Sequence, residues 1–305
     1  MENKMVFWDD LDVKSPSKNL AINRACVDLV GNGEYSLIAR TYLHDKGVIL
    51  GTGESIEDID ADFCEKEGYE IASRPSGGSA ILVEPNLTLS YSFFFNSKRF
   101  GGRLNIHKAY RSIVLPLARN LGKKFGVVGN YYLRYNSEGE SIPIAGHAMK
   151  SYGEVTQFDG VINLKKFDIA TIEKVLKLRE LWKVNDSKYI KVNGSFYDLN
   201  GNKVSLDENS PRFLRSERQE LEKIVGLEDI GMSAAKFKQT LKKSLEEVFG
   251  VVSEVRDVPL DVTEIGKYIK NSKLNNDSKG RRFLGHCFVD LVEEEPQIVY
   301  AGDGQ

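Results

Sequence analysis

The stretch SRPSGGSAILVEPNLTLSYSFFF, residues 73–95, places an arginine, two serines and a glycine pair directly before a long apolar and aromatic run. Glycines let the backbone approach a ligand closely, the hydroxyls of Ser76 and Ser79 can donate hydrogen bonds, and the cationic fork of Arg74 suits a carboxylate or phosphate. The stretch therefore predicts a loop that binds an anionic ligand. A tight connection beside a surface arginine is the alternative, because Gly77-Gly78 alone is compatible with both.

The composition excludes several broad classes of protein. The chain has 305 residues, 41% of them hydrophobic, which is enough for one large or two modest domains. Its 42 basic and 44 acidic residues give a formal net charge of −2, so no overall basic field attracts nucleic acid or an anionic membrane. Because neither a signal-type segment nor a membrane-length apolar run is visible, we expect a cytoplasmic protein with neither nucleic acid nor membrane as a partner.

The three cysteines predict no site of their own. Cys26, Cys64 and Cys287 lie far apart and without CxxC spacing, which argues against both a disulfide framework and a structural zinc site. We therefore predict no metal site, and we expect each cysteine to be a small buried residue.

The order of helical and strand-like patterns is mixed, which predicts an α/β (α+β) protein. Ser17 is the predicted N-cap of a first helix that ends at residues 31–33. The two β-rich segments 35–43 and 47–53 predict a hairpin, and residues 81–95 predict strand, turn, strand, so the glycine loop lies between sheet elements. Further predictions are a helix over 105–122 interrupted at Pro116, strands over 126–136 and 141–149, a helix over 170–183, hairpin turns at 193–194 and 200–201, and amphipathic helices over 213–227 and 233–249.

Several motifs, in order along the chain, carry a family resemblance. RPSGGSA at 74–80, followed by YSF at 91–93, resembles the RRxSGGGAV…YSF signature of the lipoate-protein ligase family, which shares its fold with biotin ligases and octanoyltransferases. NLAINRA at 19–25 resembles the family's NLALEEA helix, and GVILGTGES at 47–55 resembles its VVLGRxQN segment. The matches cover roughly residues 5 to 170, with a weaker fit to 250.

The second block of the family, GRND followed by GxKIxGxA, resembles Gly129-Asn130 and then residues 144–148. The resemblance implies a mixed β-sheet flanked by helices, in a catalytic domain over 1–250 with a small C-terminal accessory unit over 251–305. It also implies activation of lipoate or a related acid with ATP and Mg²⁺, and transfer of the acyl group to a lysine of a lipoyl-carrier protein domain. Asp159-Gly160 stands where the family has a His-Gly pair.

The resemblance also assigns site residues. It implies that the acyl chain and adenylate lie between the glycine loop and the second block, and that Gly129 and Asn130 contact the nucleotide. The substrate-binding residues that it implies are Arg74, Ser76, Gly77, Gly78, Ser79, Ala80, Ile144, Ala145, Gly146, His147 and Ala148.

One departure from the family bears directly on catalysis. The position of a family lysine that contacts the acyl carbonyl and phosphate is Pro143, which has neither charge nor backbone donor. Lys150 is our candidate catalytic cation in its place, with a solvated lysine as the alternative. Three hypotheses therefore stay open: an ATP-dependent ligase, an acyltransferase that moves octanoyl or lipoyl groups between carriers through a reactive thiolate, and a binding module of the same fold without catalysis.

Overall fold

The computed structural model describes residues 4–52, 54, 56, 59–102, 104–128, 132–137, 139–176, 180–184, 187–192, 195–198, 202–205, 214–215, 225–260, 265–269 and 299–300. The strands in chain order are β1 Met5–Lys14, β2 Leu37–His44, β3 Gly47–Leu50, β4 Glu70–Ser73, β5 Ile81–Val83, β6 Thr88–Asn96, β7 Phe125–Val128, β8 Tyr132–Ser137, β9 Glu140–Tyr152, β10 Val155–Asn163, β11 Glu180–Val184, β12 Ser187–Val192, β13 Ser195–Asp198, β14 Lys203–Val204, β15 Leu214–Arg215, β16 Ser253–Val255 and β17 Val299–Tyr300.

These strands form three sheets. The largest has nine strands in the order β16-β1-β2-β6-β10-β9-β8-β7-β17. In it β1 runs parallel to β2 and β16, whereas the other neighbours are antiparallel. A small sheet, β4-β3-β5, carries the glycine loop between β4 and β5, and a five-stranded sheet has the order β14-β13-β12-β11-β15.

The helices are α1 Pro16–Gly31, α2 Ala61–Lys66, α3 Ile106–Ala109, α4 Leu115–Leu121, α5 Ile169–Val175 and α6 Ala234–Phe249. Residues Tyr110–Val114 form a wider, π-type turn between α3 and α4. Pro116 is the second residue of α4, and because proline has no N–H to donate, the regular α-helical ladder cannot pass through it. The predicted interruption of this helix is therefore confirmed.

Helices cover both faces of the large sheet. On β6, Phe93 and Phe95 point into a cluster with α4 and α6, which includes Phe237, whereas Phe94 points into a second cluster with α1, which includes Ile22. Since successive strand residues point to opposite faces, a strand covered on both sides becomes apolar throughout. This explains the aromatic run that follows the glycine loop in the sequence.

The start of α1 differs from the prediction. Ser15 is the N-cap, and its hydroxyl accepts a hydrogen bond from the Lys18 N–H. Ser17 lies inside the first turn instead, and its N–H donates to Glu70 Oε1 at 3.2 Å. The predicted end is confirmed, because the helix stops at Gly31 and Gly33 has a φ of 78°.

The predicted hairpin over residues 35–53 is wrong. Both strands form, but β2 pairs with β1 on one edge and with β6 on the other. A strand has two edges, so β2 has none left for β3. β3 joins β4 and β5 in the small sheet instead.

Other boundaries also differ. The predicted strand over 126–136 is two strands, β7 and β8, which pair with each other. The predicted helix over 170–183 stops at Val175, and β11 begins at Glu180. Leu214–Arg215 is a strand rather than the start of a helix, and residues 216–224 lie outside the described part.

Other predicted elements were located correctly. α6 begins and ends within one residue of its prediction. β12 pairs with β13 and β13 with β14, and the predicted turn residues 193–194 and 200–201 lie outside the described part of the chain. Most of segment 251–305 lies outside the described residues; its described strands β16 and β17 pair at the two edges of the large sheet. In the described part of the chain, no helix is long and apolar enough to cross a membrane.

Candidate functional site

Arg74 organises the glycine loop from beneath. Its side chain is only 8% exposed, and its guanidinium donates to three backbone carbonyls: Nη1 to Ile49 at 2.9 Å, and Nη2 to Gly77 and Ser79, both at 2.8 Å. The planar guanidinium fork can bind several oxygens in fixed directions at once. Burial lowers the pKa of Arg74, although nearby Glu54 and Asp159 oppose that effect. These three hydrogen bonds therefore support the loop.

This clamp also fixes where the loop amides point. In a trans peptide the carbonyl and the following N–H point in opposite directions. Because the carbonyls of Gly77 and Ser79 point towards Arg74, the N–H groups of Gly78 and Ala80 point away from it. Gly78 is exposed and has a φ of 91°, a conformation that favours glycine. The loop thus directs backbone donors outward, an arrangement that suits an anion.

A second loop fixes the first in place. The N–H and hydroxyl of Thr52 both donate to the Ser76 carbonyl, at 3.1 and 2.9 Å. A Cβ on Gly51 would lie 2.0 Å from the Gly78 carbonyl oxygen, so any side chain at residue 51 would displace the glycine loop. The GTG segment and the SGG segment are therefore one packed unit.

Asp159 joins this unit to the large sheet. Its carboxylate accepts from Ser76 Oγ at 3.2 Å, from Ser92 Oγ at 2.7 Å and from Gln157 Nε2 at 2.9 Å. Burial raises the pKa of Asp159, although these hydrogen bonds and the charge of Arg74 act in the opposite direction. Ser76 is fully buried, so its hydroxyl holds the loop to β10.

A buried network continues from Ser92 through the sheet. Asn23 Nδ2 donates to Ser92 Oγ at 3.2 Å and to the Tyr42 hydroxyl at 2.8 Å. Arg40, which is fully buried, donates to Asn23 Oδ1 at 2.8 Å and to Asp10 Oδ2 at 2.6 Å. Burial raises the pKa of Tyr42 to about 12, so its hydroxyl stays protonated at neutral pH. The glycine loop is therefore linked to a rigid polar network rather than to a flexible surface.

The residues of the second block divide between the two faces of β9. Ala148 lies opposite Asp159, so Ala148, Gly146 and Lys150 share the face of the sheet on which Ser76 contacts Asp159. We call this the loop-facing side. Ala145 and His147 alternate with them and face the helices on the other side. Ile144, at an irregularity in the pairing with β8, is also buried in the cluster with α4.

His147 lies in the core rather than at the glycine loop. Its Nε2 is 2.6 Å from the Tyr91 hydroxyl and its Nδ1 is 2.8 Å from the Tyr110 hydroxyl. Burial raises the pKa of Tyr91. A Cβ on Gly160 would lie 2.2 Å from the Tyr91 ring, so glycine at 160 leaves space for that ring. His147 is a packed, hydrogen-bonded histidine.

Lys150, Gly129 and Asn130 are the remaining predicted site residues. Lys150 is half-buried and lies two residues beyond Ala148 on the loop-facing side. Gly129 and Asn130 lie outside the described residues, so their predicted nucleotide contacts stay predictions. The sequence analysis did not identify Gly51 and Thr52 as partners of the loop. The feature that could have indicated them is the Gly-Thr-Gly segment within GVILGTGES, one of the motifs that resemble the family.

The two described cysteines are buried thiols. Cys26 on α1 and Cys64 on α2 are both fully buried, as expected. Burial raises the pKa of Cys26 to about 12 and that of Cys64 to about 11. Neither thiol is therefore a thiolate at neutral pH. Cys287 lies outside the described residues.

Comparison with known proteins gives the family. The family model described as the Lipoyl protein ligase A/B catalytic domain matches residues 15–246. Lipoate-protein ligase LplJ of Bacillus subtilis (strain 168) is 27% identical over 119 residues, which are 39% of this chain and 34% of that protein. Octanoyltransferase LipM of Carboxydothermus hydrogenoformans is 25% identical over 226 residues, which are 66% of this chain and 80% of that protein.

Solved structures show the same fold. Lipoate-protein ligase A bound with ATP has 16% identity and a TM-score of 0.59, over 89% of this chain and 94% of that chain. The bi-partite lipoate protein ligase of Thermoplasma acidophilum, studied with its E2 lipoyl domain, has 17% identity and a TM-score of 0.59, over 88% and 91%. The expected mixed sheet with flanking helices is thereby confirmed. Since the family model covers well over half of it, the chain belongs to the lipoyl protein ligase A/B catalytic-domain family, whose relatives found here are lipoate ligases and octanoyltransferases, enzymes of acyl transfer.

Proposed function

We propose that this protein is an ATP-dependent ligase that activates lipoate or a related acid as its adenylate and transfers the acyl group to a lysine of a lipoyl-carrier domain in the cytoplasm. The main support is the clamp of Arg74 on Gly77 and Ser79, which directs loop N–H groups outward. Such donors stabilise the mixed anhydride and the oxyanion that forms when the lysine amine attacks.

The described cysteines favour this proposal over a thiolate mechanism. A transferase that carries the acyl group on a cysteine needs an accessible, ionised thiol near the site. Cys26 and Cys64 are buried, and burial raises the pKa of each thiol to about 12 and about 11. A ligase needs no such nucleophile, because the carrier lysine attacks the adenylate directly.

The cation of the site is Lys150 in this proposal. It projects from the loop-facing side of β9, opposite Gln157 and two pairs from Asp159 and Ala148. A lysine there can offset the negative charge that develops on the acyl carbonyl oxygen when the amine attacks. ATP brings Mg²⁺ on its phosphates, which suits a site whose described residues contain no cluster of three His, Cys, Asp or Glu for a metal.

The proposal is tested by acid-dependent exchange of labelled pyrophosphate into ATP, with lipoate, octanoate and biotin compared in parallel. We expect exchange with lipoate or octanoate and its loss in Arg74→Ala, because the loop then lacks its clamp. Arg119→Gln, an exposed arginine on α4, is the matched control and should exchange normally. No exchange with any acid, from a folded protein, would contradict the ligase and favour a transferase or a binding module.

A further inference from the structure

Strand β8 presents a polar side to the site. Leu133 is fully buried on the helix side, and the ring of Tyr135 lies 5.3 Å from that of Phe125 on the same side. Because strand residues alternate, Tyr132, Arg134 and Asn136 face the opposite side. Tyr132 pairs with Gly146, and its ring is 3.9 Å from where a Cβ on Gly146 would lie. Tyr132 and Arg134 therefore lie on the loop-facing side.

Arg134 lies next to the residue that departs from the family. It pairs with Pro143, the position where the resemblance places a lysine. Its Nη1 donates to the Ser141 carbonyl at 2.7 Å, and its guanidinium carbon is 5.9 Å from the centre of the Tyr132 ring. Arginine stays charged at any ordinary pH. Across the described residues, the ion pairs include none with Arg134.

The same patch holds polar atoms that lack partners. Arg134 Nε, Asn136 Nδ2 and Ser141 Oγ are all buried, and among the described residues none has a hydrogen-bond partner. Asn136 pairs with Ser141 two pairs along the hairpin from Arg134 and Pro143, so the three side chains lie on one face. Buried donors without partners are costly, and oxygen atoms of a ligand would satisfy them.

An aromatic surface adjoins this charge. Tyr132 is 46% exposed and is one of few large hydrophobic residues exposed in the described part of the chain. A flat ring beside a guanidinium suits a ligand that has a planar ring system joined to an anion. The predicted nucleotide contacts, residues 129–130, come two positions before Tyr132 in the sequence.

We propose that Arg134 and Tyr132 form an anion-and-base subsite for the acyl adenylate, in which Arg134 binds the phosphate and Tyr132 contacts the adenine. Arg134 then provides, from the neighbouring strand, the positive charge that Pro143 lacks. Lys150 lies seven residues further along β9, so the two cations would act at different parts of the same bound molecule. The inference rests on the proposed function for the identity of the ligand, and on the geometry of β8 for the site.

Calorimetric binding of three probes tests this subsite. The probes are adenosine, octanoate and octanoyl-sulfamoyl-adenosine, in which a sulfamate anion replaces the phosphate. For Arg134→Gln we expect at least tenfold weaker binding of the sulfamoyl probe and binding of adenosine and octanoate within twofold of the unmodified protein. Arg134→Lys should recover part of the loss. Tyr132→Leu should weaken both adenosine-containing probes, whereas the control Arg119→Gln should weaken none.

Thermal unfolding of each variant shows whether it is folded. Binding of the sulfamoyl probe by folded Arg134→Gln within twofold of the unmodified protein would overturn the subsite, as would no binding by the unmodified protein. Acyl transfer to a lipoyl domain, measured in parallel, separates this result from the proposed function. Transfer that is unaffected in Arg134→Gln refutes the subsite alone, whereas Arg134-dependent binding without any transfer refutes the ligase alone.

Discussion

The hydroxyl of Ser76 donates a hydrogen bond of 3.2 Å to the carboxylate of Asp159, although the two residues are 83 positions apart in the sequence. Ser76 belongs to the glycine loop of the small sheet, and Asp159 to the centre of the large sheet. The hydrogen bond therefore fixes the loop above β10. It also puts a carboxyl group with a raised pKa next to the proposed acyl site.

Asp159 makes stability depend on pH in a defined direction. Its pKa is raised in the folded protein by burial, so the folded state binds this proton more tightly than the unfolded state, whose aspartate pKa is about 3.9. The contribution of Asp159 to stability is therefore greatest below about pH 3.9 and is lost as the pH rises through the folded pKa. Urea unfolding of the protein and of Asp159→Asn at several pH values measures it. As the pH rises, the free energy of unfolding of Asp159→Asn should increase relative to that of the unmodified protein. A difference that does not change with pH would contradict the raised pKa.

His44 should produce the opposite dependence. Burial and the charge of Arg40 lower the pKa of His44 to about 3. The Nδ2 of Asn19 lies 3.2 Å from His44 Nδ1, where it can donate a hydrogen bond to the neutral ring. The unfolded histidine, with a pKa of about 6.5, binds a proton that the folded one does not. Stability from His44 is therefore complete above about pH 6.5 and is lost as pH falls towards 3. Unfolding of His44→Gln should show a shallower decline between pH 7 and 4.5, and equal slopes would exclude this role.

Replacing Arg74 should disturb the loop even when charge is kept. Arg74→Lys retains the positive charge but lacks the fork that binds the Ile49, Gly77 and Ser79 carbonyls. We expect a loss of about 2 kcal/mol or more in the free energy of unfolding, since hydrogen bonds from a charged group are among the stronger ones. Denaturant unfolding measures the loss, and faster hydrogen exchange across residues 74–80 should accompany it. A lysine variant of native stability would show that charge alone matters at this position.

Gly51→Ala tests the packing of the GTG segment against the loop. The added methyl would lie 2.0 Å from the Gly78 carbonyl oxygen, a backbone atom, so the loop must shift. We expect at least a tenfold loss of acyl-adenylate binding with retained fold, because the clamped amides move. Gly31→Ala is the matched control: its methyl would meet only a Val155 methyl at 3.7 Å, and it should bind normally. Equal binding by both variants would show that the packing of the GTG segment does not affect acyl-adenylate binding.

The sequence allowed local features to be predicted where the signal itself is local. Pro116 interrupts a helix because it lacks an N–H, and α6 follows its apolar spacing closely. The partners of β2 could not be predicted, because its pairing with β6 joins residues as far apart in the sequence as Leu37 and Phe95, whereas the turn at residues 44–47 suggested a local partner. The N-cap was misplaced by two residues because Ser15 and Ser17 both suit the position.

The contacts within the candidate site could likewise be predicted only where the sequence signal is local. The motif identified the glycine loop, but it could not show that Arg74 contacts the loop itself, since that requires the fold of residues 77–79 back onto β4. Nor could it show that His147 faces Tyr91 and Tyr110, because a bulge near Ile144 precedes it and changes which residues share a face. Side-chain direction depends on register, which a single sequence specifies weakly.

Acyl transfer through an adenylate is the reaction proposed for this protein, and mass spectrometry of a purified lipoyl domain measures it. The protein is incubated with this acceptor and either ATP, Mg²⁺ and lipoate or presynthesised lipoyl adenylate. We expect one lipoyl group on the acceptor lysine in both reactions, and none in either with Arg74→Gln. An acceptor left unmodified by the folded protein in both reactions would contradict the claim, since the adenylate bypasses activation and leaves only the transfer step.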